Sequence, residues 1–548
     1  MRRGGAKMEL SLIQCVLIGV WTGICLTGML TGTYLTRCLV MAAGVGVILG
    51  DLETGLMMGA VGELAFLGFG VSSGGSVPPN PVGPGIIGAI IAITMKESGV
   101  DVDAALAYSF PFAVLIQFLI TGIYTFSTGL VAKAEEAVEK GHYKRFRLMA
   151  NSTIILFICV GFLIGFVAAF QVESLEKLIN LIPDWVTAGL GTAGKILPAV
   201  GFAVILTVMV SRETVPFLFL GYVSAAYLGM PVIGIALAAA AFALMDFFRD
   251  MRGSAVSELQ DQNQQNQMSR GNLKENIKME TGVCRLSEAN LRRLSRKTAF
   301  RAYFLQNGYN YGNYEGVSYA NIMFPALRKL YPEDKDFRQA LKDSISYCSV
   351  NPNFLPILTS IHLVTLNRGL STKDTRDIRL ALMGPLAGIG DSLVQFCIAP
   401  VFSTIGASMA QEGLIAGPLV FLLGMNLLLA GLKSFSESLG YRLGTSLTEK
   451  LKDSLGPVSR TARMVGVAVI SGLVVANVDI QTEIAFGSQG TNVFALQSFL
   501  DTLLPGALPV LYTAFMYYLI RQKGWSMYRL VGLTLVLGIG LNFIGVLA

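Results

Sequence analysis

The stretch GVGVILGDLETGLMMGAVGELAFLG, Gly44–Gly68, places Asp51, Glu53 and Glu63 inside a run that is otherwise apolar and glycine-rich. A carboxylate in such a run is expensive in hydrocarbon and tends to face a cavity. The surrounding chain fits that setting. Of 548 residues, 53% are hydrophobic and only 14% charged, with a mean hydropathy of +0.58, so charge is too sparse to solvate a surface. Several segments approach or exceed the roughly 20 apolar residues that a helix needs to cross a bilayer, including Tyr108–Leu130, Ser152–Phe170, Glu213–Met245 and Leu414–Leu432. The expected class is an all-α polytopic membrane protein.

Sixty glycines are more than a soluble chain of this length carries. In lipid they permit close helix approach and broken helices around a cavity, which favours a transporter over an anchor. The net charge of +6 comes mainly from loops and the middle of the chain, a positive-inside pattern rather than a nucleic-acid surface. The seven cysteines have neither CxxC nor zinc spacing and read as small buried hydrophobes, and no cofactor or metal is expected. The basic start at Met1 precedes an apolar run from Leu10 to about Leu30 without a cleavage site, so the run reads as a first membrane helix, with either Met1 or Met8 as the start of the protein.

Composition divides the chain into a membrane unit at 1–250, a Gln/Asn-rich linker at 251–285, amphipathic cytoplasmic or interfacial helices at 286–382 and a second membrane unit at 383–548. The run Met251–Gln267 has no apolar periodicity and cannot offset its own ordering entropy. Met268 then resembles a second start, as if two subunits were joined, whether naturally or by engineering. The Lys/Arg-rich stretches 133–147, 286–380 and 442–463 are all assigned to the cytoplasm.

Short or interrupted apolar segments point to a transport site, because unwound backbone within a membrane survives only where it lines a cavity. The first half has Cys38–Gly50, ending at Asp51, and Pro84–Met95 after VSSGGSVPPNPVG. The second has GPLAGIGDSLVQFCIAP, Gly384–Pro400, with Asp391 inside. Gly50-Asp51 and Gly390-Asp391 hint at an internal repeat, and broken or re-entrant helices are expected. An ionised carboxylate accepts two vicinal hydroxyls with charge-assisted strength, which suits sugar recognition. Asp51, Glu63, Asn80 (between Pro79 and Pro81) and Asp391 are the candidate substrate-binding residues. Asp51 and Asp391 can equally be helix caps, and Asn80 part of an ordinary turn. The segment from Gln306 to Tyr314 is a polar aromatic patch, either packing or a path lining.

Two motif sets carry a resemblance. The pattern G-D-x-x-x-G-L at Gly50–Leu56, followed by Gly62-Glu63-Leu64 and GGSVPPNPVGPGIIG, resembles the C subunit (EIIC) of mannose/fructose/sorbose-family phosphotransferase permeases over residues 8–250. From Leu286 onward, RAYFLQNGYNYGNYEGVSYANIMFPALRKLY, SVNPNFLP, MGPLAGIGDSL and the Leu504–Gly506 turn resemble the D subunit (EIID) of the same family. The chain departs from the usual D pattern at Leu366-Asn367-Arg368 and at Ala399-Pro400.

The resemblance implies a bacterial plasma-membrane permease that takes up a hexose or hexosamine, with N-acetylgalactosamine, galactosamine or sorbose types favoured over mannose or glucose. It implies phosphorylated EIIB and EIIA as separate partners, a homotrimer of C–D units and an inverted-repeat architecture. His142 and His362 lack an acidic or Gly-rich framework, so no phosphohistidine and no catalytic residue is assigned to this chain. No P-loop suggests ATP-driven transport. An ion-coupled transporter using Asp51, Glu63 or Asp391, and a membrane receptor or scaffold, remain the alternatives.

Overall fold

In the computed structural model, residues 10–67, 79–174, 183–231, 234–246, 249, 284–446, 450–486 and 494–547 are described. The run Met251–Gln267, Met268, and residues 71–78 of the proline-rich turn lie outside them. The first half comprises α1 (Leu12–Thr31), α2 (Cys38–Leu49), α3 (Leu52–Phe66), a π turn (Gly83–Gly88), α4 (Ala89–Thr94), α5 (Val102–Thr128), α6 (Leu130–Glu139), α7 (Tyr143–Ala150), α8 (Ser152–Phe170), α9 (Asp184–Met209), α10 (Val215–Ala226) and α11 (Gly234–Asp246). The second comprises α12 (Glu288–Phe300), α13 (Gly316–Leu330), α14 (Asp334–Ser344), α15 (Leu355–Asn367), α16 (Thr372–Leu393), a second π turn (Val394–Ile398), α17 (Ala399–Gln411) and α18 (Ala416–Ser446). It closes with α19 (Lys450–Asn477), α20 (Leu496–Leu503), α21 (Ala507–Lys523) and α22 (Met527–Phe543). A two-residue hairpin, Ala485–Phe486 against Phe494–Ala495, is the described sheet.

Among the described residues, five helices are long and apolar enough to cross a membrane. The pair α20–α21, bent by 79°, makes a sixth if counted as one broken span. The protein is an all-α polytopic membrane fold. The apolar stretch Glu213–Met245, expected as one span, is two helices, because Gly229 takes a left-handed φ of 59° and Pro231 follows it. Gly384–Pro400, expected as a broken segment, stays helical and passes through the second π turn into α17. A π turn absorbs an extra residue without unwinding the helix.

The halves interlock. Helices α21 and α22 pack on α9, and α19 packs on α10, so the C-terminal helices share one apolar core with the first half. A second core joins α6 and α7 to α12–α16, and a third lies between α2–α3 and α17–α18. In the first half α1 and α8 are antiparallel and meet at Gly23 and Gly161. A Cβ on Gly161 would fall 2.9 Å from the Gly23 Cα, so both positions need glycine for the backbones to touch.

Each basic stretch is tied to a neighbouring element by polar contacts. Tyr143 donates to Asp334 Oδ1 at 2.7 Å, Lys342 pairs with Glu139, and Arg338 donates to the Glu139 carbonyl at 2.9 Å, tying 133–147 to α14. Arg368 reaches the Thr445 carbonyl at the end of α18. Arg460 lies 3.7 Å from Glu213 and 3.5 Å from Asp246, at the loop and helix end where the first half leads into the linker. The hydrogen bond from Tyr143, with Arg338 and Arg328 alongside, holds the Asp334 carboxyl below its usual value despite some desolvation.

Candidate functional site at the junction of the two halves

Arg37 occupies the N-cap position of α2, in the short connection after α1, and Glu63 lies near the end of α3. Packing α2 against α3 brings them together. Arg37 Nε donates to Glu63 Oε1 at 2.7 Å, and Arg37 Nη2 also contacts that oxygen. The Leu39 N–H, in the first turn of α2, donates weakly to Glu63 Oε2 at 3.4 Å, so the carboxylate also faces a helix N-terminus. The third member comes from the other half. Ser403 of α17 donates to Glu63 Oε1 at 2.6 Å and accepts from Arg37 Nη2 at 3.0 Å. Glu63 is 1% exposed and Ser403 fully buried. Phe421 of α18 presents its ring 5.9 Å from the guanidinium carbon.

Asp391 is in the last turn of α16. It accepts from Asn351 Nδ2 at 2.9 Å. Asn351 Oδ1 in turn accepts from the Asn353 N–H at 3.0 Å and from Asn353 Nδ2 at 3.1 Å, and Lys433 of α18 donates to Asn353 Oδ1 at 2.7 Å. The Lys433 ammonium sits 4.1 Å from the centre of the Tyr303 ring, which stabilises a buried cation. A Cβ at Gly390 would fall 2.2 Å from the Asn351 Cβ, so glycine beside Asp391 is required for the chains to approach. Gly384, Gly388 and Asp391, one helical face, are exposed, with nothing near either glycine.

Tyr34 lies beside the first cluster. It has a left-handed φ of 59°, costly for a non-glycine residue and a frequent mark of a constrained site. Its ring meets Phe421 edge-on at 6.3 Å, and it lies within electrostatic reach of both Arg37 and Asp391. Glu315, in the loop before α13, accepts from Gln306 Nε2 at 3.2 Å and from the Val350 N–H at 3.1 Å. Burial outweighs these bonds and raises its carboxyl to about 8, with Asp391 adding to the rise.

Of the four residues expected from sequence, the structure puts Glu63 at the contact between the halves and Asp391 in the second half, bonded to Asn351 and within electrostatic reach of Tyr34, and places Asp51 and Asn80 elsewhere. Asp51 caps α3, accepting from the Thr54 N–H at 3.0 Å and from Thr54 Oγ1 at 2.7 Å, with Lys96 at 3.1 Å. Asn80 spends its amide on the chain: its Oδ1 accepts from the Val82 N–H at 3.0 Å and its Nδ2 donates to Gln117 at 3.3 Å. His362 is buried and bonded through Nδ1 to the Tyr319 hydroxyl at 2.7 Å. Within the Gln306–Tyr314 patch Tyr309 and Asn310 turn inward, Tyr309 4.7 Å from Tyr124 and Asn310 bonding back to Asn313 and Gly308, while Tyr311 stays exposed.

Arg37, Ser403, Asn351 and Lys433 escaped the sequence reading. Arg37 and Lys433 carry a usable signal, a lone cation beside or within an apolar helix. Ser403 and Asn351 carry none, since only the tertiary contact gives them a role.

The model for the sorbose-specific IIC component of the phosphotransferase system matches residues 12–245, and that for the IID component of its mannose/fructose/sorbose family matches residues 291–547. N-acetylgalactosamine permease IIC component 1 of Escherichia coli is 31% identical over 221 residues, covering 40% of this chain and 81% of that protein. The chain belongs to the mannose/fructose/sorbose phosphotransferase permease family, C component followed by D component. The sorbose-specific EIID component of Klebsiella pneumoniae is 30% identical over 258 residues, covering 44% of this chain and 94% of that protein. A solved structure of the mannose transporter ManYZ with microcin E492 shares 25% identity, covers 48% of this chain and 98% of that one, and superposes with a TM-score of 0.28. As a multi-pass member of this permease family the protein resides in the bacterial inner membrane. Glu63 and Arg37 thus belong to the C part, Ser403 and Asp391 to the D part, and the candidate site is the seam between components.

Proposed function

We propose that this permease translocates a hexose or hexosamine whose hydroxyls are held at the C–D seam by Glu63 with Arg37 and by Asp391 with Asn351. The observation that carries this reading is Glu63 of the C part bonded to Arg37 and to Ser403 of the D part beside the Phe421 ring, with Asp391 of the D part within electrostatic reach of Tyr34, which meets that same ring. A carboxylate accepts two hydroxyls, a guanidinium donates to a third, and aromatic rings cover the apolar face of a sugar. N-acetylgalactosamine, galactosamine or sorbose is favoured, because the relatives at 31% and 30% identity carry the N-acetylgalactosamine and sorbose names.

Transport is coupled to phosphorylation by separate EIIA and EIIB proteins, and the phosphorylated sugar leaves because it no longer fits the inward site. Differential affinity alone can set such a direction. Division into units at 1–250, 251–285, 286–382 and 383–548, a homotrimer of C–D units and an inverted repeat are part of the same proposal. The π turns at Gly83–Gly88 and Val394–Ile398, one in each half, support the repeat.

Calorimetric titration of the purified protein with N-acetylgalactosamine, galactosamine, sorbose and mannose tests the reading. Glu63→Gln and Asp391→Asn should each weaken the sugar that binds by about ten- to a hundredfold, the worth of a hydrogen bond to an ionised group. Unchanged affinity in both, with wild-type thermal stability, would remove the site from the seam. An ion-coupled mechanism has one observation in its favour: Asp391 is bonded to a neutral amide and forms no ion pair among the described residues. Uptake that persists without EIIA and EIIB, and collapses with the proton gradient, would select it.

A further inference from the structure

The Ser403 hydroxyl makes two bonds at the seam, donating to Glu63 Oε1 at 2.6 Å and accepting from Arg37 Nη2 at 3.0 Å. A sugar hydroxyl held between a carboxylate and a guanidinium would make the same two bonds, since both groups are one donor with two lone pairs. In this structure no substrate could take that place, because Ser403 is fully buried and Glu63 is 1% exposed. We propose that Ser403 is a latch that mimics the substrate: it fills a hydroxyl subsite between Glu63 and Arg37 while the components are closed on each other, and yields it to a sugar hydroxyl when α17 moves away. This rests on the reading that Glu63 contacts sugar.

The division of the cluster between the two components makes the exchange feasible. Both charged partners belong to the C part, so withdrawing α17 leaves the ion pair intact and strands no unpaired charge in an apolar setting. Among the described residues, the two serine bonds are the hydrogen bonds that α17 makes to the C part, and an incoming hydroxyl replaces them in kind. Were Arg37 contributed by the D part, separation would break a buried ion pair and the seam would be locked. The packing around the cluster is compatible with such movement. Leu39, Ala60 and Leu64 of the C part face Ala399, Ala407 and Ala410 of the D part across an apolar boundary. Among the described residues of these helices, Arg37–Glu63 is the ion pair at the boundary, and it does not cross it.

The test uses the full chain in lipid nanodiscs, titrated calorimetrically with N-acetylgalactosamine, galactosamine, sorbose and mannose. Ser403→Ala removes the internal competitor, so the bound sugar should tighten by about three- to tenfold, the scale of one or two exchanged hydrogen bonds. Ser403→Cys, nearly isosteric but a weak donor, should fall between Ala and wild type, and it serves if the alanine variant fails to fold. A serine with a merely structural role predicts the opposite: lower thermal stability and unchanged or weaker sugar binding.

Glu63→Gln is titrated alongside. Loss of binding in Glu63→Gln with no tightening in either Ser403 variant overturns the latch and leaves the sugar site standing. Wild-type binding in Glu63→Gln overturns the site itself. Absence of binding for all four sugars in wild type and in both serine variants overturns the latch as well, because an opened subsite should then have revealed one.

Discussion

Glu63 and Asp391 are the same kind of group at the same seam, and the protein treats them in opposite ways. Glu63 is sealed, with a guanidinium, a hydroxyl and a helix N–H on its oxygens. Asp391 is exposed on a glycine-lined face and has one amide for company. The sealed carboxylate is compensated within its own component, whereas the open one relies on a relay through Asn351 and Asn353 to the Lys433 ammonium. On the proposed reading this contrast becomes a division of labour, with Glu63 governing whether the seam is shut and Asp391 meeting a ligand that arrives along the exposed face of α16.

The largest expected effect comes from breaking the sealed pair. Arg37→Gln leaves Glu63 without its cation, and losing one partner of a buried pair costs about 3–5 kcal/mol. Thermal unfolding should drop sharply and uptake should be lost. Adding Glu63→Gln to Arg37→Gln should restore much of the stability without restoring uptake, because two neutral amides can share a hydrogen bond but cannot bind sugar hydroxyls with charge assistance. A double variant no more stable than Arg37→Gln alone would mean that the arginine acts through packing on Phe421 rather than through charge.

Asp391→Asn gives the next effect and separates the two carboxylates. Exposed and amide-bonded, Asp391 should lose sugar affinity by about ten- to a hundredfold with little change in stability. Glu63→Gln should lose both. If Asp391→Asn destabilises as much as Glu63→Gln does, the open carboxylate is structural and the contrast fails.

Glu315 extends the comparison to pH. Its folded carboxyl is raised to about 8, above the ordinary glutamate value, so the folded state prefers the proton. The stability this contributes is complete below the ordinary value and is lost as pH rises toward and through about 8. The melting temperature of the wild type should therefore fall between pH 6 and 9, while Glu315→Gln, which cannot ionise, should show a flatter slope. Equal slopes would assign the pH dependence to other groups.

The membrane class, the interruption at Gly50-Asp51 and the family were legible because they rest on composition, glycine punctuation and contiguous motifs, whereas Gly384–Pro400 stays helical and the break at Gly229 falls inside a stretch that reads as one span. Ser152–Phe170 is a helix with those bounds, and the glycine–aspartate turn before Leu52 is a helix start. The site was half legible. Glu63 and Asp391 stood out as carboxylates in apolar runs, yet the partners that define their chemistry lie 26 and 40 positions away in the chain. Ser403 is 340 positions from Glu63, and a serine in a mixed helix carries no mark of such a contact. Asp51 shows the converse, since a carboxylate before an apolar helix satisfies equally the pattern of a ligand and that of a cap.

The smallest expected effect tests that last distinction. Asp51 is bonded to the Thr54 N–H and hydroxyl and is partly exposed beside Lys96. Asp51→Ala should cost about 0.5–2 kcal/mol, the usual worth of an N-cap, and shift the melting temperature modestly. Sugar affinity should stay within twofold of wild type, since the cap orients α3 at the end opposite Glu63. Asp51→Asn, which can still accept from the Thr54 N–H, should recover most of the stability because asparagine caps nearly as well as aspartate. If both variants instead lose sugar binding while melting like wild type, Asp51 belongs with Glu63 and Asp391, and the site extends along the whole of α3 rather than lying at its seam end.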